Sequence, residues 1–260
     1  MSLAVILSRT LVGMQATEVR VEVHLANGLP GFTLVGLADT EVKESRERVR
    51  AALATSGFAF PHNKRITVSL APADLPKEGG RFDLPIALGI LAADGQLDMA
   101  ALAACEFAGE LSLGGDLGPV RGALAHALAA RQASPARTLV LPRASAQEAA
   151  LALPRQVRAA DHLLDVVRAF RPADADPPAE PMPTARPPDT GAAPACEDMA
   201  DVRGQAGPRR ALEVAAAGAH SLLMVGPPGS GKSMLARRLL GLLPPMADDE
   251  ALESAALAGL

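Results

Sequence analysis

Polar and apolar residues alternate along Glu18–Leu25. Val19, Val21, Val23 and Leu25 fall on one side, and Glu18, Arg20, Glu22 and His24 on the other. This period predicts a half-buried strand. The turn cluster Asn27-Gly28-Leu29-Pro30-Gly31 closes it, and Phe32–Leu37 predicts another strand. The period then changes. Asp39 is suited to cap a helix to about Ser56, with Val42, Val49 and Leu53 on one face and Gly57 as the stop. Arg65–Leu70 alternates again, with Ile66, Val68 and Leu70 on one side. Asp83–Ala93 predicts a buried helix with Pro85 near its first turn. Phe107–Leu113 and Thr138–Leu141 predict strands around a helix at Gly122–Arg131, and Asp161–Phe170 a closing helix. Further on, Gln205–Ala217 predicts a helix, Ser221–Val225 a short apolar strand, Lys232–Leu242 a helix, and Asp248–Leu260 a helical tail. The mixture is α/β.

Composition divides this pattern. Arg171–Cys196 holds eight of the 22 prolines in 26 residues, with almost no large apolar side chain. Such a segment lacks backbone donors and buriable surface, which predicts an extended, semi-rigid linker. The expected organisation is therefore a domain over 1–170, a linker over 171–197 and a second segment over 198–260.

Charge and residue usage exclude several classes. Among 260 residues, 25 basic stand against 29 acidic, a formal net charge of −4. Any contact with nucleic acid has to use a local patch or a partner subunit. Trp and Tyr are absent and the last Phe is Phe170, so an aromatic base-stacking platform is not expected in the C-terminal third. Cys105 and Cys196 do not make a disulfide scaffold or a cysteine zinc site, and they suit a reducing cytosol. No apolar run reaches the ~18 residues of a membrane helix. The stretch Leu3–Leu7 has no basic residue before it, unlike a signal peptide. No membrane partner and a cytoplasmic location are expected.

The strongest chemical signal is Gly226-Pro227-Pro228-Gly229-Ser230-Gly231-Lys232-Ser233, which matches G-x-x-x-x-G-K-[ST] between an apolar run and a predicted helix. Glycines let successive N–H groups turn toward phosphate oxygens, and the helix start adds partial positive charge. Lys232 is expected to reach the β- and γ-phosphates of ATP, and Ser233 to ligate Mg²⁺. A complete domain of this type also needs an acidic strand for Mg²⁺ and water activation. Residues 198–260 contain no apolar strand ending in Asp-Glu, so no catalytic residue is assigned and a truncated nucleotide-binding domain is expected.

Longer runs of residues carry a resemblance. Asp201-Val202-Arg203-Gly204-Gln205, Arg210-Ala211-Leu212-Glu213, Ala215–His220, the phosphate loop and Leu243-Pro244-Pro245 are similar to the ComM/YifB family of magnesium-chelatase-like AAA+ ATPases. So are VEVHLANGLPGFTLVGLADTEVKESRERVRAAL, LAPADLPKEGGRFDLPIALGIL and GELSLGGDLGPVRGALAHALAA. The resemblance implies that the first domain has the ribosomal-S5-like fold of the Lon proteolytic domain. It implies ATP and Mg²⁺ as cofactors, ATP hydrolysis in the complete protein, a homo-oligomer of hexameric form, and DNA as partner in helicase and branch-migration work during competence or recombination. Two other readings stay open: a non-catalytic binding or assembly module formed by the first domain alone, and a chelatase-like subunit for metal insertion. Whether the 260 residues alone form an enzyme is left open.

The Lon likeness raises peptidase chemistry. The corresponding segment is Pro76-Lys77-Glu78-Gly79-Gly80-Arg81, with Arg81 at the nucleophile position and Leu124 at that of the lysine base. Arg cannot become a nucleophile and Leu cannot accept a proton, so peptidase activity is not expected. In the helix from Asp39, Lys43, Arg46, Arg48 and Arg50 interleave with Glu41, Glu44 and Glu47, which reads as a solvated, ion-paired face. Lys77, Glu78, Arg81 and Asp83 lie in a Gly-rich loop, either functional or a turn held by ion pairs. His24, His62, His126, His162 and His220 lack metal-ligand spacing. His220 reads as a packing or capping residue. By resemblance, Arg203, Gly204 and Gln205 border the adenine pocket.

Overall fold

A computed structural model of the chain describes residues 2–36, 39–61, 63–133, 136–189, 191 and 196–259. It separates into two compact units, Met1–Pro188 with Ala251–Leu260, and Asp189–Glu250. The predicted Leu37 end of a strand and His62 lie outside the described residues.

The first unit is built on a seven-stranded sheet. Its strands are β1 (Ser2–Val12), β2 (Gln15–Asn27), β3 (Gly31–Val35), β4 (Lys64–Ala71), β5 (Cys105–Phe107), β8 (Thr138–Pro142) and β9 (Val157–Ala160). The short β6 (Glu110–Leu111) and β7 (Leu117–Gly118) form a separate pair. The order is β3-β4-β2-β1-β5-β8-β9. The pairs β1–β2 and β2–β4 are antiparallel, and the other four neighbours are parallel. Helices α1 (Thr40–Thr55), α2 (Asp83–Ala93), α3 (Met99–Ala103), α4 (Ala123–Arg131), α5 (Arg143–Ala149) and α6 (Leu163–Ala169) accompany the sheet. The class is α/β, with a mostly parallel central sheet.

Strand periodicity splits the core into two faces. Ala4, Ile6, Val19, Val21, Val23 and Leu25 pack with α1 and α2. Leu139 and Leu141 pack with α4 and α5, whereas Val140 between them joins the α2 side. Every residue of α2 is buried, which explains why its apolar positions encircle the helix. Gly89 permits its close approach to the sheet, because a Cβ there would lie 2.5 Å from Val23 Cγ2. The Asp39 cap is present: its Oδ1 accepts from Val42 N at 2.7 Å.

The Pro-rich segment is docked on the first unit over part of its length. Ala159 N donates to Pro183 O at 3.0 Å, Ala185 N to Val157 O at 2.9 Å, and Thr184 bridges Arg158. Ala185 is buried and Met182 packs on the core. Proline is tolerated here because an edge strand needs only alternate N–H groups for its ladder. Within the segment expected as a linker, residues 183–185 line the β9 edge.

The second unit contains α7 (Ala206–Ala217), α8 (Lys232–Arg238) and the start of α9 (Asp248–Ala258), whose residues from Ala251 on group with the first unit. Its core is Met199, Val202, Leu212 and Leu235. The strand expected at Ser221–Val225 pairs with no other strand among the described residues, and Leu223 and Val225 are each 87% exposed. A strand is held by its ladder, and nothing here supplies one.

Candidate functional site: the loop 226–233

The loop turns on two left-handed glycines, Gly229 (φ 79°) and Gly231 (φ 85°), and α8 begins at Lys232. Ser230 Oγ donates to Pro227 O at 2.9 Å and draws the loop into a ring. Lys232 Nζ folds back over it, donating to Gly226 O at 2.7 Å, Pro227 O at 2.8 Å and Ser230 Oγ at 3.2 Å. Leu235 N donates to Gly231 O at 3.0 Å and anchors the first turn of α8. Among the described residues, the amides of Gly229, Gly231, Lys232 and Ser233 have no protein acceptor. Four N–H groups without a protein acceptor and one ammonium in the same loop form a donor set suited to an anion with several oxygens. Ser233 is exposed at the start of the helix.

A second element supports this loop. Gln205 precedes α7 with φ 51°, after Gly204 at φ 72°. Its Nε2 donates to Ser230 O at 3.1 Å. Gly231 is required by its left-handed backbone, and a Cβ there would lie 2.7 Å from that nitrogen and push the Gln205 amide aside. The residue expected at an adenine pocket thus reaches the loop itself. His220 N donates to Ala215 O at 2.9 Å beyond the end of α7, and its ring lies against Gly218, a packing position.

In the first unit, sequence reasoning missed a buried polar cluster. Glu106 lies between Cys105 and Phe107, which face the α2 core, so its side chain points to the α4 side. Its carboxylate takes Arg9 Nε at 2.7 Å and Nη2 at 2.9 Å, faces His126 Nε2 at 3.1 Å, and accepts from Arg137 Nη1 at 3.2 Å. Burial pushes this carboxyl up, but His126 and Arg9 outweigh burial and hold it at about 2. Burial lowers the His126 pKa, which keeps its ring neutral. No local motif signals this cluster, because Arg9 and Glu106 alone are 97 residues apart. The only hint is charge within otherwise apolar strand text.

The other candidates fall into structural roles. Arg48 Nε donates to Asp83 Oδ2 at 2.6 Å and Nη2 to Oδ1 at 3.1 Å, which ties α1 to α2. The charged face of α1 is therefore only partly a solvated one. Arg46 pairs with Glu47 at 3.3 Å and Arg48 with Glu44 at 3.9 Å. Lys77 is buried with its Nζ on Pro72 O, and desolvation lowers its pKa. Arg81 and Leu124 are both buried. His162 accepts from Leu164 N at 3.0 Å and caps α6. No group of His, Cys, Asp and Glu among the described residues could hold a metal ion. Among the described residues, no helix is long and apolar enough to cross a membrane.

A family model of subunit ChlI of Mg-chelatase matches residues 21–145, and a model of magnesium chelatase, subunit ChlI, matches 198–260. Among individual relatives, the chain is 49% identical over 260 residues to the competence protein ComM of Haemophilus influenzae. It is 48% and 44% identical to the uncharacterized YifB proteins of Salmonella typhimurium and Escherichia coli. Each match covers 100% of this chain and 50% of the relative. The chain therefore belongs to the ComM/YifB family of Mg-chelatase-like proteins, and it spans about half the length of these curated relatives.

Proposed function

We infer that the chain is the nucleotide-loop half of an AAA+ ATPase of the ComM/YifB type, organised as a Lon-like, S5-like domain, a Pro-rich connection and the start of the ATPase domain. The observation that carries this reading is the set of four unpaired amides in the loop that ends at Lys232 and Ser233, with the Lys232 ammonium folded over that loop. The amides of Gly229, Gly231, Lys232 and Ser233 would hold phosphate oxygens of ATP, Lys232 would neutralise their charge, and the Ser233 hydroxyl would take Mg²⁺. Gly226, Pro227, Pro228 and Ser230 shape the loop. Mg²⁺ bound there would offset phosphate charge during hydrolysis. In the longer protein, hydrolysis is proposed to drive a cytoplasmic hexamer along DNA in recombination.

The competence name of the Haemophilus relative favours work on DNA over metal insertion. Arg81 and Leu124 support a first domain that binds or assembles and does not cleave peptides. Calorimetry with Mg-ATP tests the nucleotide reading. A full-length protein should bind it, and the 260-residue chain should bind more weakly with negligible turnover. Absence of heat with the full-length protein would end the reading. DNA-stimulated ATP turnover would separate a DNA motor from a chelatase subunit, which should respond to porphyrin instead.

A further inference from the structure

A cavity of about 590 Å³ opens in the first unit between the β1–β2 hairpin, the loop 78–81 and the turn 119–121. One of its lining residues, Arg81, is only 8% exposed. Its Nη2 donates to Arg121 O at 2.7 Å and its Nη1 to Arg9 O at 3.4 Å. Both acceptors are carbonyls, which orient a guanidinium without cancelling its charge. Among the described residues, Nε has no acceptor and no carboxylate forms a salt bridge with Arg81. A guanidinium has five N–H donors and keeps its charge, and a buried charge without a counterion is unfavourable. Burial draws Arg81 down to about 10 despite the pull of Glu78. Arg121, exposed on the same cavity, has no side-chain partner among the described residues.

Three carboxylates share the lining. Asp39 is already engaged by Val42 N and Gly79 N. Glu78 and Glu110 are exposed. Glu110 runs against the loop so closely that a Cβ on Gly80 would lie 2.5 Å from its Cγ. The cavity therefore presents two cations and two available carboxylates. A phosphate dianion would meet repulsion from Glu78 and Glu110, and a neutral apolar ligand would leave Arg81 uncompensated.

We propose that this cavity binds a carboxylate that brings its own N–H donors, with Arg81 and Arg121 on the carboxylate and Glu78 and Glu110 on the donors. A free amino acid and the carboxyl end of a peptide both have this chemistry. The site is independent of the phosphate loop and of any nucleotide.

The test is a heteronuclear NMR titration of the whole 260-residue chain with alanine, acetyl-alanyl-alanine, the C-terminal amide of that peptide, and inorganic phosphate. A carboxylate probe should shift the amides of Glu78, Gly79, Gly80, Glu110 and Arg121, while the peptide amide and phosphate leave them in place. Response to alanine alone assigns a free amino acid, and response to the acetylated peptide assigns a chain terminus. Arg81→Gln should abolish the response. Arg121→Gln, at an exposed position that does not hold the fold, should weaken it about tenfold. If Arg81→Gln fails to fold, Arg121→Gln decides. Equal response to the amide, a response to phosphate, silence with every probe, or unchanged affinity in Arg121→Gln would overturn the proposal.

Discussion

The two units solve the problem of burial differently. The first wraps a seven-stranded sheet with helices on both faces and can bury a whole helix, α2, as well as an ion cluster. The second gathers Met199, Val202, Leu212 and Leu235 and leaves Leu223 and Val225 in solvent. A charge can be buried only where the surrounding framework is rigid enough to hold its partners in place. A phosphate loop instead needs free amides, and these are available where secondary structure has not consumed them. The first unit therefore holds the Glu106 carboxylate in completed pairs, and the second leaves the amides of Gly229, Gly231, Lys232 and Ser233 without a protein acceptor among the described residues.

The largest expected effect tests the completed pairs. Glu106→Ala removes the acceptor shared by Arg9, Arg137 and His126 and leaves the buried Arg9 guanidinium without a carboxylate partner. The cost should be about 3–5 kcal/mol, read as a lower urea midpoint by circular dichroism. Leu212→Ala in the second unit should leave that main transition where it was. Equal shifts in both variants would mean that the units do not differ as argued. The next effect is on the open loop. Lys232→Ala in a full-length protein should lower ATP turnover by roughly a hundredfold or more, as for other charge contacts in closed sites, without moving the urea midpoint. A variant with unchanged turnover would separate the loop from nucleotide chemistry.

What could be read from the chain follows the same division. The β2 alternation was legible because one period dominates it, and α2 because an apolar run follows Asp83 without a polar side chain to its end. β1 was not read as a strand, because Ser8, Arg9 and Thr10 are polar and yet buried there. The β9 strand and α5 also escaped notice, since their alanines and short polar residues carry little periodic contrast. The loop 226–233 could be singled out because its motif is local to eight residues. The Glu106 cluster was not, because strands distant in sequence assemble it. The strand expected at Ser221–Val225 had the right composition but no partner, so composition alone did not decide its state.

A smaller effect concerns pH. The Glu106 carboxyl is held below its ordinary value, at about 2. Its contribution is complete above the unfolded carboxylate value and is lost as pH falls from there toward 2. His126 is also lowered by burial. The unfolded chain takes up that proton first, so stability begins to fall once pH drops below the ordinary imidazole value, near 6.5. The urea midpoint should therefore decline in two stages as the solution is acidified. Replacing His126 by Gln should remove the upper stage and leave the lower one, and a profile with the upper stage retained would assign it to another group.

The smallest effect is the most informative about the open loop. Gln205 holds Ser230 O through Nε2 and does so from a left-handed backbone, φ 51°, that a residue with a Cβ adopts at a cost. Two contributions are therefore mixed at one position. Gln205→Ala keeps the backbone cost and loses the hydrogen bond. Gln205→Gly loses the bond too, but removes the cost. One neutral hydrogen bond is worth about 0.5–1.5 kcal/mol, so Mg-ATP should bind about threefold to tenfold more weakly in the alanine variant. If the amide positions the loop, the glycine variant should bind as weakly as the alanine one. If the glycine variant recovers wild-type affinity, backbone geometry before α7 is what supports the loop, and the side chain merely rests on it. Turnover at saturating nucleotide should change less than affinity in either case, because Gln205 reaches a loop carbonyl and not the amides proposed to hold the anion.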